Sequence, residues 1–327
     1  MIRNQPRLAT AVLLAALAVL QGCTDQTASV PPAPAAPATQ PAFAPITVVH
    51  KLGTTVIERR PRRVAVLDMN EVDFLDQLGV PVAGMVKDYV PHFLARYKDD
   101  QDIRDLGAIV QPNLERIHAL QPDLVLMTSI QANHYQELSQ IAPTVHFDVD
   151  YQNSESKHIE VVKQHLRTLG RIFGKEELAR QKAAELDAKV ADARKVTQER
   201  PEKALIVLHN NGAFSAFGVQ SRYGFVFDAL GVKPASTTVE AGLHGQPISS
   251  EFIQQANPDI IYVVDRTAVM EHRPVMTAEQ MANPLLRQTN AWKNGRVVFV
   301  DADAWYITAA SVTSLKRVID DVLRGYK

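Results

Sequence analysis

ELARQKAAELDAKVADARKVTQER, residues Glu177–Arg200, is the stretch that decides the fold. It contains neither glycine nor proline, and it is dominated by the residues that lose least free energy on entering a helix. Roughly 24 residues at about 1.5 Å each predict a rod about 36 Å long, close to the width of a lobe. We therefore predict a helix over 175-200 that joins two lobes, and a long helix on the surface of one larger domain is the alternative. Apolar residues recur along one side at helical spacing: Leu178, Ala184, Leu186, Val190 and Ala193.

Strand and helix signals alternate on both sides of this predicted helix. Short apolar runs such as Asp123–Met127 predict buried strands, and segments such as Ala278–Leu286 predict helices. This rhythm is typical of right-handed βαβ units and mostly parallel sheets. We expect an α/β protein with two Rossmann-like lobes, an N-terminal lobe at 46-174 and a C-terminal lobe at 201-327.

The beginning of the chain has the composition of an export signal and a tether. Arg3 and Arg7 precede a short apolar run, Ala9–Leu20, which is typical of a secretory signal peptide and too short to span a bilayer. The run leads to Cys23, the only cysteine of the sequence, in a pattern that resembles the lipobox of bacterial lipoproteins. We expect residues 1-22 to be removed and Cys23 to be lipidated, and ordinary cleavage elsewhere is the alternative. The Ala- and Pro-rich residues 23-45 lack the apolar surface needed to fold and are predicted to be a tether.

Composition and motifs narrow the function classes. Of the 327 residues, 46% are hydrophobic, which is enough for ordinary cores. A formal net charge of −1 and dispersed basic residues predict no binding to nucleic acid. The sequence lacks the phosphate-binding, dinucleotide-binding, zinc-protease and nucleophile-elbow motifs, and its histidines do not show metal-ligand spacing. We expect no enzyme activity and no intrinsic cofactor; a secreted hydrolase with a triad assembled from distant residues is the alternative.

Two segments repeat one pattern. Asn113–Val125 is NLERIHALQPDLV and Ser249–Ile261 is SSEFIQQANPDII, and in each a Glu is followed seven residues later by Pro-Asp and then by a strand signal. Each segment predicts a short helix, a turn and a strand. The repeat puts Glu115 and Glu251 at equivalent places in the two lobes. The alternative is that each Glu only stabilises the first turn of its helix through the helix dipole.

Candidate ligand-binding residues lie in loops of the second half of the chain. In parallel α/β sheets ligands bind beyond the carboxyl ends of the strands. Arg266 follows one predicted strand and Tyr306 follows another, Arg222 opens a predicted helix, and His244 lies in a loop flanked by glycines. A tyrosine, an imidazole and guanidiniums suit a hard, oxygen-rich anionic complex of a trivalent metal. Taken singly, each residue has a plainer interpretation: a loop hydrogen bond for His244, packing for Tyr306 and ion pairs with neighbouring carboxylates for the arginines.

Six strings of sequence carry a specific resemblance to a known family: TLGRIFGKEELA, NNGAFSAFG, SRYGFVFDALG, EAGLHGQPISSEFI, NPDIIYVVDRT and DADAWYITAAS. On these strings, residues 46–323 resemble the periplasmic binding proteins for ferric siderophores. They are similar in particular to the group that delivers catecholate complexes to an ABC importer, which includes the Campylobacter enterochelin-binding proteins. The resemblance implies the class III architecture, two α/β lobes joined by one long helix, and a protein that binds its cargo without chemistry.

The resemblance also assigns roles to individual residues and a place in the cell. It implies a monomer that takes a ferric siderophore (Fe3+) as its ligand and meets an ABC permease in the inner membrane. It implies a periplasmic lipoprotein, or one on the outer face of the membrane in a Gram-positive host. The implied residue roles are iron ligation by His244 and Tyr306, anion binding by Arg222 and Arg266, and docking onto permease arginines by Glu115 and Glu251.

The sequence departs from this group at one position. The third arginine of the group would fall near Ile130, which is apolar. Either Lys87 replaces that arginine as a ligand-binding residue or the ligand carries less negative charge. Haem, cobalamin or a hydroxamate siderophore is the alternative cargo, and a hydroxamate complex is less negatively charged than a catecholate one. A tetradentate catecholate siderophore is the expected cargo.

Overall fold

The structure, a computed structural model, describes residues 43–150, 157–240, 242 and 245–327. The predicted signal peptide (1-22), Cys23, most of the predicted tether and His244 lie outside the described residues. Phe43–Lys327 forms one compact unit. Within the described residues, no helix is both long enough and apolar enough to cross a membrane.

A parallel sheet forms the first lobe. Its strands and two flanking hairpins are β1 (Ile46–His50), β2 (Gly53–Ile57), β3 (Val64–Val66), β4 (Gly84–Met85), β5 (Arg104–Asp105), β6 (Gly107–Ala108), β7 (Gln111–Pro112), β8 (Leu124–Met127) and β9 (Thr144–His146). The order of the sheet is β5-β4-β3-β8-β9, and every pairing in it is parallel. β1 pairs antiparallel with β2, and β6 with β7. Because the strands of the sheet are parallel, the loops after β3, β4 and β8 gather at one edge of the lobe.

A second sheet forms the other lobe. Its strands are β10 (Lys203–Asn210), β11 (Ala213–Phe217), β12 (Lys233–Pro234), β13 (Gln246–Ile248), β14 (Ile260–Asp265) and β15 (Val297–Phe299). The order is β13-β11-β10-β14-β15, with β12 also paired to β10. β12, β14 and β15 extend the parallel arrangement, whereas β11 pairs antiparallel with β10 and β13. β11 turns back on β10 because the two-residue turn Asn211-Gly212 is too short for a crossover.

Helices connect the strands of both lobes. The predicted helix over Ala278–Leu286 ends at Met281, because Pro284 lacks the N–H that continues a helix and disfavours helical geometry at Asn283. The α-helices are α1 (Met69–Leu78), α2 (Ala95–Lys98), α3 (Leu114–Leu120), α4 (Tyr135–Ile141), α5 (His158–Phe173), α6 (Glu176–Thr197), α7 (Gly224–Asp228), α8 (Ser250–Ala256), α9 (Arg266–Met270), α10 (Ala278–Met281), α11 (Asn290–Lys293) and α12 (Val312–Arg324). Short 3-10 turns lie at His92–Leu94, Ser129–His134 and Leu286–Gln288, and a π-helical turn lies at Asp303–Thr308.

The predicted connecting helix is α6, which spans 22 residues between the last helix of lobe 1 and the first strand of lobe 2. It packs against α5 and α12. A Cβ at Gly170 of α5 would lie 2.6 Å from the Cβ of Ala179 of α6, so only glycine permits this close approach. The prediction that Ala184 belongs to the apolar side is wrong, because Ala184 is exposed and its neighbour Ala183 is buried. The helix is therefore both the link between the lobes and part of their packing.

The core of the protein runs through both lobes. One group of buried side chains includes residues of both sheets and of α1, α5, α6 and α12. Alternate residues of a strand point to opposite faces, so Ile206 of β10 belongs to this group whereas Val207 belongs to a smaller one on the other face of the lobe 2 sheet. A shared core of this kind favours small movements between the lobes over wide opening.

Two side chains of α1 accept hydrogen bonds from backbone amides at the start of α12. Asn70 Oδ1 accepts from the amide of Ala310 at 3.1 Å, and Asp73 Oδ2 accepts from the amide of Thr313 at 2.7 Å. The first amides of a helix have no partner within the helix. Asp73 of lobe 1 therefore supplies an acceptor for an amide in the first turn of α12 that has no partner within the helix.

Candidate functional site

Tyr306 and two arginines form one cluster at the strand ends of lobe 2. Arg266 Nε donates to Tyr306 Oη at 2.6 Å, and Arg222 Nη2 donates to the backbone carbonyl oxygen of Tyr306 at 2.9 Å. Both guanidinium carbons lie 5.5 Å from the centre of the Tyr306 ring. All three side chains are half-buried. Two positive charges therefore flank a phenol that a ligand can reach, and they would stabilise negative charge on its oxygen.

The π-helical turn Asp303–Thr308 presents Tyr306. Its neighbour Trp305 is fully buried, and the Trp305 Nε1 donates to Asp321 Oδ2 at 3.0 Å. The backbone carbonyl oxygen of Trp305 accepts from Tyr223 Oη at 3.0 Å. Single π-helical turns are frequent at functional sites. The buried indole anchors the turn, and the next residue reaches the surface.

A buried histidine–carboxylate pair supports the strand ends that carry Arg266. His209 Nδ1 lies 3.1 Å from Asp265 Oδ1, and the amide of Gly212 donates to His209 Nε2 at 2.9 Å, so the proton of the neutral ring is assigned to Nδ1. Burial alone would raise the pKa of Asp265, but hydrogen bonds from His209 and two backbone amides outweigh burial and lower that pKa. Parallel pairing of β10 with β14 brings His209 opposite Asp265.

Further hydrogen bonds join the same two strand ends. Arg266 Nη1 donates to Asn210 Oδ1 at 2.9 Å, and the amide of Asn211 donates to Thr267 Oγ1 at 2.7 Å. Asp265 accepts from His209, and within the described part of the chain no ion pair joins it to Arg266. Among the described residues, the guanidinium of Arg266 is oriented by two neutral oxygen acceptors, Tyr306 Oη and Asn210 Oδ1.

Ile130 and Lys87 lie on the strand-end edge of lobe 1. The side chain of Ile130 is 53% exposed, whereas the adjacent Gln131 is fully buried and donates to two backbone carbonyl oxygens, that of Ile109 at 2.6 Å among them. Lys87 follows β4, and its Nζ donates to the carbonyl oxygen of Asp100 at 2.7 Å. Lys87, a predicted ligand-binding residue, and Ile130, near which the resemblance places the third arginine of the group, therefore both lie on this edge.

Two contacts show that the strand-end edges of the lobes face each other. Tyr89, after β4, stacks on His272, after α9, with ring centres 5.8 Å apart. The amide of His92 in lobe 1 donates to Asp303 Oδ2 at 2.9 Å. We call the space between the two edges the cleft. The cluster of Arg222, Tyr306 and Arg266 lies on its lobe 2 side.

Among the described residues, His92, Asp301 and Asp303 form a group that could hold a metal ion. The two ring nitrogens of His92 approach different carboxylates, Nδ1 at 3.0 Å from Asp303 and Nε2 at 3.4 Å from Asp301. Arg317 Nη1 also pairs with Asp301, at 3.2 Å. A metal ion would use one ring nitrogen and would be opposed by the guanidinium. The geometry therefore fits an ion-pair network between the lobes better than a metal site.

Two histidines of α5 are shielded from water: His158 is buried at the junction of the lobes, and the half-buried His165 packs on Phe147. His158 Nε2 lies 2.9 Å from the carbonyl oxygen of Ala309, and the His158 ring stacks on Phe225 with centres 4.3 Å apart. Burial lowers the pKa of His158 to about 4 and the pKa of His165 to about 3. Both rings are therefore neutral at neutral pH and pack as part of the core.

Glu115 and Glu251 occupy matching places in the internal repeat. Each is exposed in the first turn of a seven-residue helix, α3 or α8. Hydrogen bonds from Ser249 and from its own backbone amide lower the pKa of Glu251. The rest of the repeat matches as well, through N-caps at Asn113 and Ser249 and through turn carboxylates that accept strand amides, Asp123 from Arg63 at 2.8 Å and Asp259 from Lys203 at 3.0 Å.

The structure thus brings together Arg222, Arg266 and Tyr306 and leaves Lys87 on the other side of the cleft. His244 and Cys23 lie outside the described residues. Sequence reasoning missed the His209–Asp265 pair and the Tyr89–His272 stack. One feature of the sequence could have indicated the His209–Asp265 pair, namely a polar residue at the end of each of two adjacent parallel strands.

Two α/β lobes, one connecting helix and polar side chains at facing strand ends define a binding protein of the class III periplasmic type. The chain belongs to the periplasmic binding protein family, whose model matches residues 64–304. Proteins of this family bind substrates and are not enzymes, so the hydrolase alternative is wrong.

Relatives of known ligand cover most of the chain. The ferric-anguibactin-binding protein FatB of Vibrio anguillarum is 62% identical over 327 residues, 100% of both chains. The petrobactin-binding protein YclQ of Bacillus subtilis is 36% identical over 285 residues, 86% of this chain and 88% of the relative. A solved structure of the siderophore binding protein BauB, bound to a complex between two molecules of acinetobactin and ferric iron, is 68% identical. It has a TM-score of 0.83 and covers 86% of this chain and 99% of that chain.

Proposed function

We propose that this protein captures a ferric siderophore, of the tetradentate catecholate type, in the cleft between its lobes and delivers it to an ABC permease. The observation that carries this proposal is the cluster of Arg222, Tyr306 and Arg266 at the cleft edge. A phenolate oxygen is a hard ligand suited to Fe(III). The flanking guanidiniums supply the positive charge that an anionic ferric complex needs.

A tetradentate siderophore leaves two positions of octahedral iron for the protein. Tyr306 fills one of them in this proposal and His244 fills the other, while Arg222 and Arg266 hold the anionic ligand. Lys87 contacts the complex from lobe 1. The ligand descriptions of FatB and BauB support a ferric siderophore as cargo. A catecholate is supported by the catecholate-siderophore binding protein VctP of Vibrio cholerae, a solved structure 30% identical with a TM-score of 0.80.

The proposal includes a location and a partner. The protein acts outside the cytoplasm, in the periplasm or at the outer face of a Gram-positive membrane, as a monomer held by a lipid on Cys23. Glu115 and Glu251, exposed at matching places in the two lobes, dock onto arginines of the permease. Charge pairs at the rim of an interface guide association and fix its register.

A fluorescence titration tests the proposed cargo. Trp305 is next to Tyr306 in the chain, so a coloured ferric complex in the cleft quenches its emission by energy transfer. We expect tight, saturable quenching by a ferric bis-catecholate and weaker binding in Tyr306→Phe. Quenching only by a ferric hydroxamate or only by haem would show that this compound, and not a catecholate complex, is the cargo. No saturable binding of any ferric siderophore would contradict the proposal.

A further inference from the structure

One residue of lobe 1, His92, contacts two carboxylates of lobe 2. The His92 amide donates to Asp303 Oδ2 at 2.9 Å, and the ring Nδ1 lies 3.0 Å from the same oxygen. The ring Nε2 lies 3.4 Å from Asp301 Oδ2. The amide and both ring nitrogens of His92 are therefore engaged across the boundary between the lobes.

Both of these acidic residues belong to the hydrogen-bonded frame of the π-helical turn that carries Tyr306. Asp301 Oδ1 accepts from the amide of Ala304 at 3.2 Å. The carbonyl oxygen of Asp303 accepts from Thr308 Oγ1 at 3.3 Å. A displacement of Asp301 or Asp303 would therefore be passed to the backbone on both sides of Tyr306.

The end of the same turn is also bound by lobe 1. His158 Nε2 lies 2.9 Å from the carbonyl oxygen of Ala309, and Asn70 Oδ1 accepts from the amide of Ala310 at 3.1 Å. His158 is buried in the core, whereas the side chain of His92 is 55% exposed. Lobe 1 therefore holds the turn at both ends, and the contacts of the His92 ring can be removed without opening the core.

The backbone that carries His92 is anchored on both sides of the lobe boundary. A 3-10 turn begins at His92, and the side chain of Leu94 in this turn is buried. The guanidinium carbon of Arg317, in α12, lies 4.8 Å from the centre of the Phe93 ring, a cation–π contact. Arg317 Nη1 also donates to Asp301 Oδ2 at 3.2 Å. The position of His92 is therefore fixed by its neighbours, so its ring can set the position of what it binds.

We infer that His92 is a positioning residue for Tyr306, which it holds through Asp303 at a fixed distance from the lobe 1 edge. This inference rests on the proposed function, in which iron takes Tyr306 as a ligand while Lys87 contacts the cargo from lobe 1. The phenol must then meet an iron whose position is set partly by the other lobe. Groups that orient a metal ligand contribute about 10- to 100-fold to metal affinity.

A double-mutant cycle separates positioning of Tyr306 from general support of the lobe boundary. We would titrate a ferric bis-catecholate into the wild-type protein, His92→Ala, Tyr306→Phe and the double variant. His92→Asn is the conservative variant, because asparagine places an amide N–H close to the position of the histidine Nδ1. Alanine and asparagine are both uncharged, so these two variants differ in hydrogen bonding and not in charge. The matched control is His134→Ala, since His134 pairs with a carboxylate of its own lobe, that of Glu137 at 3.3 Å.

We expect His92→Ala to raise the Kd by about tenfold in the wild-type background. In the Tyr306→Phe background the same substitution should change the Kd by less than about twofold, because the phenol that His92 positions is gone. His92→Asn should retain most of the wild-type affinity. The control should leave the Kd within about twofold of the wild-type value.

A structural role for His92 alone would give a different pattern. An equal loss from His92→Ala in both backgrounds, or no loss in either, would overturn the inference while the proposed function stands. A loss in His92→Asn as large as that in His92→Ala would also overturn it. If Tyr306→Phe alone does not weaken binding, the proposed iron ligation fails and the inference fails with it. If the wild-type protein shows no saturable binding, the proposed function itself fails.

Discussion

The guanidinium of Arg266 donates to the hydroxyl of Tyr306 at 2.6 Å, although the two residues lie 40 positions apart in the chain. Arg266 begins α9 directly after β14, and Tyr306 lies in the π-helical turn after β15. β14 and β15 are adjacent and parallel, so their carboxyl ends meet. The topology of lobe 2 thus creates a phenol held by a permanent cation, which is the chemical centre of the proposed site.

Removing either flanking charge should weaken binding of an anionic ferric complex. We expect Arg266→Gln and Arg222→Gln each to raise the Kd for a ferric bis-catecholate by about tenfold or more, the usual value of a charge-assisted hydrogen bond. Arg287→Gln, which removes a stacking contact on Trp292, is the control. Titrations at two salt concentrations check the prediction, and wild-type affinity in both cluster variants would refute it.

Iron ligation by the protein should depend on the denticity of the siderophore. His244→Ala combined with Tyr306→Phe should weaken tetradentate complexes far more than hexadentate ones, because a hexadentate siderophore leaves no position for a protein ligand. Competition titrations with a matched pair of catecholates measure the difference. Equal losses for both would show that neither residue ligates the iron.

The two exposed glutamates should matter for delivery and not for binding. We expect Glu115→Gln and Glu251→Gln to lower ligand-stimulated ATPase activity of the reconstituted transporter, with a larger loss in the double variant and an unchanged Kd for the cargo. Glu279→Gln is the control, since Glu279 also lies exposed in the first turn of a helix, α10. Full transporter stimulation by the double variant would exclude the docking role.

Acid should destabilise the protein through the buried side chain of His158. The pKa of His158 is about 4 when folded, below the ordinary 6.5, so the unfolded state binds more protons between these values. Stability is therefore complete above the ordinary pKa and is lost as the pH falls toward 4. We expect His158→Gln to reduce the slope of unfolding free energy against pH in this window by about 1.4 kcal/mol per pH unit. Urea unfolding at several pH values measures it, and an unchanged slope would contradict the assignment.

The sequence predicted those elements that depend only on residues close together in the chain. α6 was predictable because helix-forming residues fill it without interruption, and the N-cap of α3 because Asn113 precedes the helical pattern. Two predictions were wrong because the local pattern alone does not determine where a helix ends or which of its residues are buried. Pro284 divides the segment Ala278–Leu286. In α6, which packs against α5 and α12, Ala183 is buried and Ala184 is exposed.

For residues far apart in the chain, the sequence predicted which of them lie near each other but not which contacts they form. The strand-end rule placed Arg266 and Tyr306 at one edge, but it gave neither their hydrogen bond nor the support from His209. The pairing of His209 with Asp265 requires the register of β10 against β14, which the sequence does not encode locally. The Tyr89–His272 stack depends on how the lobes face each other.

Resonance Raman spectroscopy of the protein loaded with a ferric bis-catecholate tests the central claim most directly. Excitation in the charge-transfer band reports which oxygen ligands the iron has. Our account predicts ring modes of an iron-bound tyrosinate beside the catecholate modes, and loss of the tyrosinate modes alone in Tyr306→Phe. A wild-type complex that is fully bound but shows only catecholate modes would contradict it.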